Sequence, residues 1–122
     1  MKFDEIGYWS ELKLEIIEKY GSAYTKAFKN NTNLKKYYID AFSGAGVHVS
    51  KTSGKEIEGS PARALKINPP FDGFYFIDLN DKKTEYLKTI CTGRQNVTIH
   101  TGDCNDYLTQ QLLPTIQYAK FN

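Results

Sequence analysis

Apolar side chains recur at steps of three and four residues between residues 5 and 30, the spacing of one face of an α-helix. The side chains that share this face are Trp9, Leu12, Ile16, Tyr20, Ala23 and Ala27. Gly21 and Ser22 stand in the middle of the segment and predict a break or kink there. The pattern therefore predicts an amino-terminal helical segment over residues 1–35.

The pattern changes after residue 36, where short apolar runs alternate with helical stretches. Runs rich in aromatic and β-branched side chains predict buried strands at residues 37–42 and 73–78 and a third strand at residues 96–100. Because strands that alternate with helices form parallel sheets, residues 36–122 are predicted to be an α/β domain with a parallel sheet and flanking helices.

Three helices are predicted between and after these strands. Ser60 is the expected N-cap of the first, with Pro61 in its first turn, and Asn80 is the expected N-cap of the second. The third begins after Asp103 and carries Tyr107, Leu108, Leu112 and Leu113 on one side. The polar residues 47–58 are predicted to be a loop in which His48 is solvated.

Charge leaves two interpretations of the amino-terminal helix open. The net charge of the 122 residues is +2, but residues 19–36 hold five lysines and no acid. Lysines interleaved with Tyr20, Tyr24 and Phe28 are compatible with a nucleic-acid surface. A solvated helix face beside buried aromatic side chains explains the same pattern, and we favour it.

The cysteine content and the hydropathy of the chain disfavour a disulfide scaffold, a metal-binding protein and a membrane protein. The two cysteines, Cys91 and Cys104, form no CxxC pair, so we expect a reducing, cytoplasmic environment and no metal site. Cys91 is expected to be a small core residue. No apolar run approaches the ~18 residues that a membrane span needs, so no membrane association is predicted.

Three acidic residues stand at the predicted strand ends: Asp40, Asp78 and Asp103. Ligands of parallel α/β sheets bind at the carboxyl ends of the strands, where an acid can accept hydrogen bonds from ribose hydroxyls. An acid can also accept from an exocyclic amine such as that of adenine. Gly44 and Gly46 follow Asp40 and allow a sharp turn and close approach of a ligand. These residues predict a pocket for a nucleoside that carries a positive or amino-bearing tail.

This order of residues resembles class I S-adenosylmethionine-dependent methyltransferases, whose motifs I, II and III are similar to residues 40–46, 76–78 and 102–103. With Gly59-Ser60-Pro61 after a polar insertion, nearly the whole chain resembles the three-Cys-motif partner protein family, TcmP. Its members are predicted bacterial methyltransferases encoded beside a protein that bears three cysteines. The resemblance implies a Rossmann-like class I methyltransferase fold, S-adenosylmethionine as the cofactor and a three-Cys-motif protein as a partner.

The resemblance also implies roles for single residues. Asp40, Gly44 and Gly46 would line the methionine part of S-adenosylmethionine, Asp78 would hold the ribose, and Asp103 with the backbone near Cys104 would contact adenine. For Asp78 and Asp103 taken singly, a helix cap explains the residue as well.

The chain departs from the family pattern in two places. The segment between Gly46 and Ser60 is longer than the short turn of a standard methyltransferase. No Asp-Pro or Asn-Pro motif of a fourth strand follows the third strand, so we expect an amino-terminal portion without its catalytic half. The first strand would then have an unpaired edge, and self-association is expected.

Two other functions remain as alternatives. The first is a non-catalytic module that binds a partner protein or nucleic acid. The second is a nicotinamide-dependent oxidoreductase, whose fingerprint requires a third glycine where this chain has Val49. A carboxylate at Asp40 would also repel a pyrophosphate, so we disfavour the oxidoreductase.

Overall fold

The computed structural model describes residues 3–30, 33–51 and 53–112. Its elements, in chain order, are β1 (Glu5–Ile6), α1 (Tyr8–Ala27), β2 (Tyr37–Asp40), β3 (Val47–Ser50), β4 (Glu56–Glu58), α2 (Ser60–Leu65), β5 (Gly73–Asp78), α3 (Asp81–Ile90), β6 (Val97–Thr101) and α4 (Cys104–Tyr107), which continues as a π-helical turn over Leu108–Leu112. The predicted α/β class is confirmed, with two small sheets rich in parallel pairs. The predicted position of Leu113 in the last helix lies outside the described residues.

The three predicted strands form one parallel sheet in the order β2-β5-β6. Asp40 pairs in register with Phe76, and Asp78 pairs with Thr101. β5 is the central strand, and its Phe76 and Ile77 are fully buried. β2 is less covered than predicted, since Ile39 is exposed at the edge of the sheet.

The core lies where β5 meets α2 and α3. Phe74, Phe76 and Leu87 pack there with Ala64, and Cys91 is buried beside them as expected. Tyr38 adds edge-to-face and tilted ring contacts to this cluster. Asn80 caps α3 as predicted, because its side-chain oxygen accepts from the backbone N–H groups of Lys82 and Lys83.

The prediction of a loop over residues 47–58 is wrong. β3 and β4 form an antiparallel hairpin, and β1 adds to β3 in parallel to make a second three-stranded sheet. The alternation in Val47-His48-Val49-Ser50 is the local signal for this strand, which the polar surroundings obscure. The glycine turn after β2 therefore leads into a hairpin and reaches a helix only at α2.

Residues near the amino terminus connect the second sheet to α3 and to α1 through three contacts. The ammonium of Lys83 lies 2.6 Å from a carboxylate oxygen of Asp4. The rings of Phe3 and Tyr86 meet edge to face at 5.0 Å. Glu11 of α1 accepts a hydrogen bond of 2.9 Å from the Ser50 hydroxyl.

The helix α1 differs from its prediction in two ways. It runs without interruption through Gly21, which is buried against the side chain of Ile67, two residues after α2; a Cβ on Gly21 would lie 2.4 Å from Cδ1 of Ile67. The buried side of α1 carries Leu14, Gly21 and Thr25. The apolar face predicted from the sequence lies on the opposite, exposed side of α1. The expectation that Tyr20, Tyr24 and Phe28 are buried is wrong, because all three are exposed.

None of the helices in the described part of the chain has the length and apolar character needed to cross a membrane.

Candidate functional site

The three predicted acids lie at one edge of the β2-β5-β6 sheet. Asp40 is the last residue of β2, Asp78 is the last residue of β5, and Asp103 follows β6 after one glycine, Gly102. The backbone N–H of Gly102 donates to the carbonyl of Asp78 at 3.0 Å, which ties the ends of β5 and β6 together. The carboxyl ends of the parallel strands therefore bring these residues to a common edge, where ligands of such sheets bind.

Asp78 fixes the glycine turn that follows β2. Its Oδ2 accepts from the backbone N–H of Gly44 at 2.9 Å, and its Oδ1 accepts from that of Asn80 at 2.9 Å. Gly44 has a φ of +67°, a conformation that glycine adopts without strain. Since each carboxylate oxygen has two lone pairs, Asp78 retains acceptor capacity for hydroxyl groups of a ligand.

Asp40 is half-buried beside Asp78. Its Oδ2 accepts from the hydroxyl of Ser60, and its Oδ1 accepts from the backbone N–H of Phe42 at 3.2 Å. Burial raises the pKa of the Asp40 carboxyl above its ordinary value, these two hydrogen bonds oppose the rise, and the negative charge of Asp78 adds to it. Two carboxylates that repel each other favour a cationic ligand group between them.

Ser60 thus has a role that the sequence did not predict. The N-cap of α2 is Gly59, and Ser60 is the first residue of the helix. Its hydroxyl donates to Asp40 and does not cap the helix, so the Gly59-Ser60-Pro61 segment contributes directly to the strand-end cluster.

Asp103 caps α4, as the alternative interpretation expected. Its Oδ1 accepts from the backbone N–H groups of Asn105 at 2.8 Å and Asp106 at 3.1 Å. The side chain is exposed, and Cys104 follows it as the half-buried first residue of α4. Capping holds the carboxylate of Asp103 in a fixed orientation at the end of β6.

Gly46 lies against α3. It has a φ of +88°, and a Cβ on it would come within 3.1 Å of methyl carbons of both Leu87 and Ile90. Its carbonyl accepts from the backbone N–H of Gly59 at 2.8 Å, which closes the hairpin. Gly46 therefore sets the distance between the glycine turn and α3.

Replacing Gly46 with alanine is expected to lower the free energy of unfolding by about 2 kcal/mol, because left-handed strain and a tight contact with α3 add together. Urea denaturation followed by circular dichroism measures this change. Gly93→Ala is the matched control, since Gly93 has a φ of +86° with nothing within 4 Å of the added Cβ. A loss no greater than that of Gly93→Ala would contradict the role of the α3 contact.

His48 is the residue at this site that sequence reasoning misjudged. It lies in β3 and is half-buried, and its Nδ1 is buried with no hydrogen-bond partner among the residues that the structure describes. Its ring faces the glycine turn, since a Cβ at Gly44 would lie 3.9 Å from Cε1 and a Cβ at Gly59 would lie 3.0 Å from Nε2. Burial lowers the pKa of His48 and favours the neutral imidazole.

A separate groove of about 440 Å³ lies at the other end of α2, away from Ser60. Its lining consists of Glu15, Glu18, Lys19, Ser22, Lys66, Ile67 and Asn68. Acids and bases there are mixed, and Glu18 is already paired with Arg63 at 3.5 Å. The groove contains none of the strand-end acids, so it is not the site that those acids define.

A comparison with models of known protein families found no match to this sequence, and a search of curated proteins found no match either.

Proposed function

We propose that this protein binds S-adenosylmethionine at the carboxyl ends of β2, β5 and β6, on a Rossmann-like fold of the class I methyltransferase type. The observation that carries the proposal is the cluster of Asp40, Asp78 and the Gly44 turn at one sheet edge, with Asp103 at the end of the next strand. Asp78 would accept from the ribose hydroxyls, and Asp103 with the amide at Cys104 would contact adenine. Asp40, Gly44 and Gly46 would line the methionine part.

The charge of the cluster supports this ligand. S-adenosylmethionine carries a sulfonium and an α-ammonium group, and either cation relieves the repulsion between Asp40 and Asp78. The donor and acceptor set also fits, because an adenosine presents two hydroxyl donors and one amine donor to carboxylates.

The path of the chain after the glycine turn disfavours a nicotinamide dinucleotide. Dinucleotide sites place the pyrophosphate at the N-terminus of a helix that begins within the glycine motif. Here Gly46 leads into β3, and the position of the third glycine is Val49 in the middle of that strand. The raised pKa of Asp40 comes in part from a second carboxylate, so a pyrophosphate would add a further negative charge to the cluster.

Methyl transfer to an acceptor is the reaction that such a site serves. Positioning of the acceptor in line with the methyl group supplies much of the rate in this chemistry. The residues that would position the acceptor, and a three-Cys-motif protein as partner, remain predictions of the resemblance.

Isothermal titration calorimetry with four ligands tests the proposal. S-adenosylmethionine and S-adenosylhomocysteine are expected to bind, whereas NAD⁺ and a generic DNA duplex are not. Binding of NAD⁺ in place of the two adenosyl ligands would overturn the proposal, and so would the absence of binding by either adenosyl ligand.

The affinity for S-adenosylmethionine is expected to fall as the pH is lowered. In the free protein the pKa of Asp40 is raised, and a bound cation lowers it, so the complex holds fewer protons than the free protein. The affinity is therefore constant above the raised pKa and falls below it, by at most about tenfold per pH unit for one proton. Calorimetry between pH 4.5 and pH 8 measures the profile.

Asp40→Asn provides the control for this profile. The variant is expected to bind more weakly at pH 8 and to show little dependence on pH. If the variant reproduced the parent's slope, the titrating group would be a different one and the assignment of Asp40 would be wrong.

A further inference from the structure

His48 of β3 presents its imidazole ring to the glycine turn of the candidate site. A Cβ on Gly44 would lie 3.9 Å from its Cε1, and a Cβ on Gly59 would lie 3.0 Å from its Nε2. Gly59 directly precedes Ser60, whose hydroxyl donates to Asp40. The ring therefore lies against both chain segments that border the Asp40 carboxylate.

The burial of one ring nitrogen of His48 determines where its proton sits. Nδ1 is buried and has no hydrogen-bond partner among the described residues. A neutral imidazole has one N–H donor and one acceptor nitrogen. Because buried N–H groups without a partner are rarer than buried acceptors without one, the acceptor is Nδ1 and the proton is on Nε2. His48 thus offers an N–H donor beside Gly59.

The ring of His48 is neutral in these surroundings. Burial is the largest cause that lowers the pKa of His48. The charges around the ring oppose one another, since Asp4 and Asp40 raise this pKa whereas Lys83 and Arg63 lower it. The pKa lies below its ordinary value, so His48 acts as a neutral donor and not as a cation.

The two cations nearest to His48 already have carboxylate partners. The ammonium of Lys83 lies 2.6 Å from Asp4, and the guanidinium of Arg63 lies 3.5 Å from Glu18. An anionic group of a ligand would compete with these ion pairs. The Nε2–H of His48, in contrast, has no acceptor in the part of the chain that the structure describes.

S-adenosylmethionine has one group that the strand-end acids do not favour. Its sulfonium and α-ammonium groups are cations, which suit the carboxylates of Asp40 and Asp78, but the same carboxylates repel its α-carboxylate. That carboxylate requires a donor, and a hydrogen bond to a charged acceptor is stronger than one between neutral groups.

We propose that the Nε2–H of His48 donates to the α-carboxylate of the methionine part and makes the site specific for adenosyl ligands that carry this group. The inference rests on the proposed function and assigns a residue to the group that Asp40 and Asp78 repel. Because the donor is neutral, binding adds no proton to His48, and the pH profile expected from Asp40 is unchanged.

Calorimetry at pH 7.5 with two ligands tests the proposal. S-adenosylhomocysteine carries the α-carboxylate, whereas its decarboxylated form lacks this group and keeps the ammonium. His48→Phe is expected to raise the dissociation constant of S-adenosylhomocysteine at least about tenfold, because it removes a hydrogen bond to a charged group. The same variant is expected to change the dissociation constant of the decarboxylated ligand by less than about threefold.

Two amide variants identify the nitrogen that donates. The side-chain amide of glutamine reaches about as far as Nε2 of histidine, and that of asparagine reaches only as far as Nδ1. His48→Gln is expected to bind S-adenosylhomocysteine within about threefold of the parent, and His48→Asn is expected to resemble His48→Phe. Tighter binding by His48→Asn than by His48→Gln would overturn the assignment of Nε2.

Nitrogen NMR of the histidine-labelled chain supplies a readout that a purely structural role of His48 would not change. We expect the free protein at pH 7.5 to show the neutral ring of His48 with its proton on Nε2. The Nε2 signal is expected to shift when S-adenosylhomocysteine binds and to stay near its free position with the decarboxylated ligand. A ring of the free protein protonated on Nδ1 would contradict the proposal.

Thr84→Val is the control for stability, because the buried Thr84 hydroxyl bonds that of Thr101 and no strand-end acid. It is expected to bind both ligands as the parent does, and circular dichroism establishes that every variant is folded. If neither ligand binds the parent, the proposed function fails and the role of His48 fails with it. If the parent binds both and His48→Phe weakens both alike or neither, the proposed function stands and the role of His48 is overturned.

Discussion

Substitution of Asp78 by alanine is expected to raise the dissociation constant of S-adenosylhomocysteine at least about a hundredfold. A carboxylate that accepts from both ribose hydroxyls makes two charge-assisted hydrogen bonds, each worth roughly 1.5–3 kcal/mol. Since about 1.4 kcal/mol corresponds to a tenfold change, the loss of both bonds gives this magnitude. Calorimetry at pH 7.5 measures it.

The same substitution is expected to lower stability. Asp78 accepts from the backbone N–H groups of Gly44 and Asn80, and alanine leaves both donors without this partner. The cost is roughly 1–3 kcal/mol for groups that become unsatisfied. Loss of binding must therefore be separated from loss of structure.

Thr84→Val is the control for this separation. The Thr84 hydroxyl is buried and bonds the Thr101 hydroxyl at 2.6 Å, so its loss destabilises the core without removing a strand-end acid. We expect Thr84→Val to lower the melting temperature and to bind S-adenosylhomocysteine normally. Equal affinity of Asp78→Ala and the parent would refute the assignment of Asp78 to the ribose.

Gly44→Val is expected to abolish measurable binding of the adenosyl ligands. The reason is conformation: φ is +67°, and a β-branched side chain strongly disfavours that region. Space is not the cause, because a Cβ would meet only the Cε1 of His48, at 3.9 Å. Strain of about 2 kcal/mol moves the turn and withdraws the Gly44 N–H from Asp78.

Gly54→Val supplies a close match for this prediction. Gly54 has a φ of +72° in the turn between β3 and β4, and nothing lies within 4 Å of an added Cβ. We expect both variants to lose similar stability in thermal melts, but only Gly44→Val to lose binding. If Gly54→Val lost binding to the same extent, the effect of Gly44→Val would reflect stability alone.

Local patterns in the sequence were sufficient for the parallel sheet and for the cap of α3. The run at residues 73–77 has no charged side chain, as a strand buried on both faces requires, and Asn80 stands directly before a helical pattern. The orientation of α1 was not predictable in this way. Two sides of that helix carry apolar or small residues, and the choice between them depends on the fit of Gly21 against Ile67.

The sequence predicted which strand ends form the candidate site, but it did not predict the contacts that Ser60 and His48 make there. Parallel strands bring their carboxyl ends together, so the proximity of Asp40 and Asp78 follows from the strand assignments. The hydrogen bond from Ser60 to Asp40 and the position of His48 depend on the β3-β4 hairpin, which folds back over the glycine turn. Short strands of three or four residues with charged neighbours give too weak a pattern to predict that pairing.

The amino-terminal contacts determine the order in which this chain can complete its structure during synthesis. Residues 3–6 leave the ribosome before β3 and α3, yet β1 pairs with β3, and Asp4 bonds Lys83, which is 79 residues further along the chain. Contacts of such high sequence separation form late, because the intervening chain must first be ordered. Residues 3–6 therefore complete their contacts only after α3 has emerged, and they pack onto structure that has already formed.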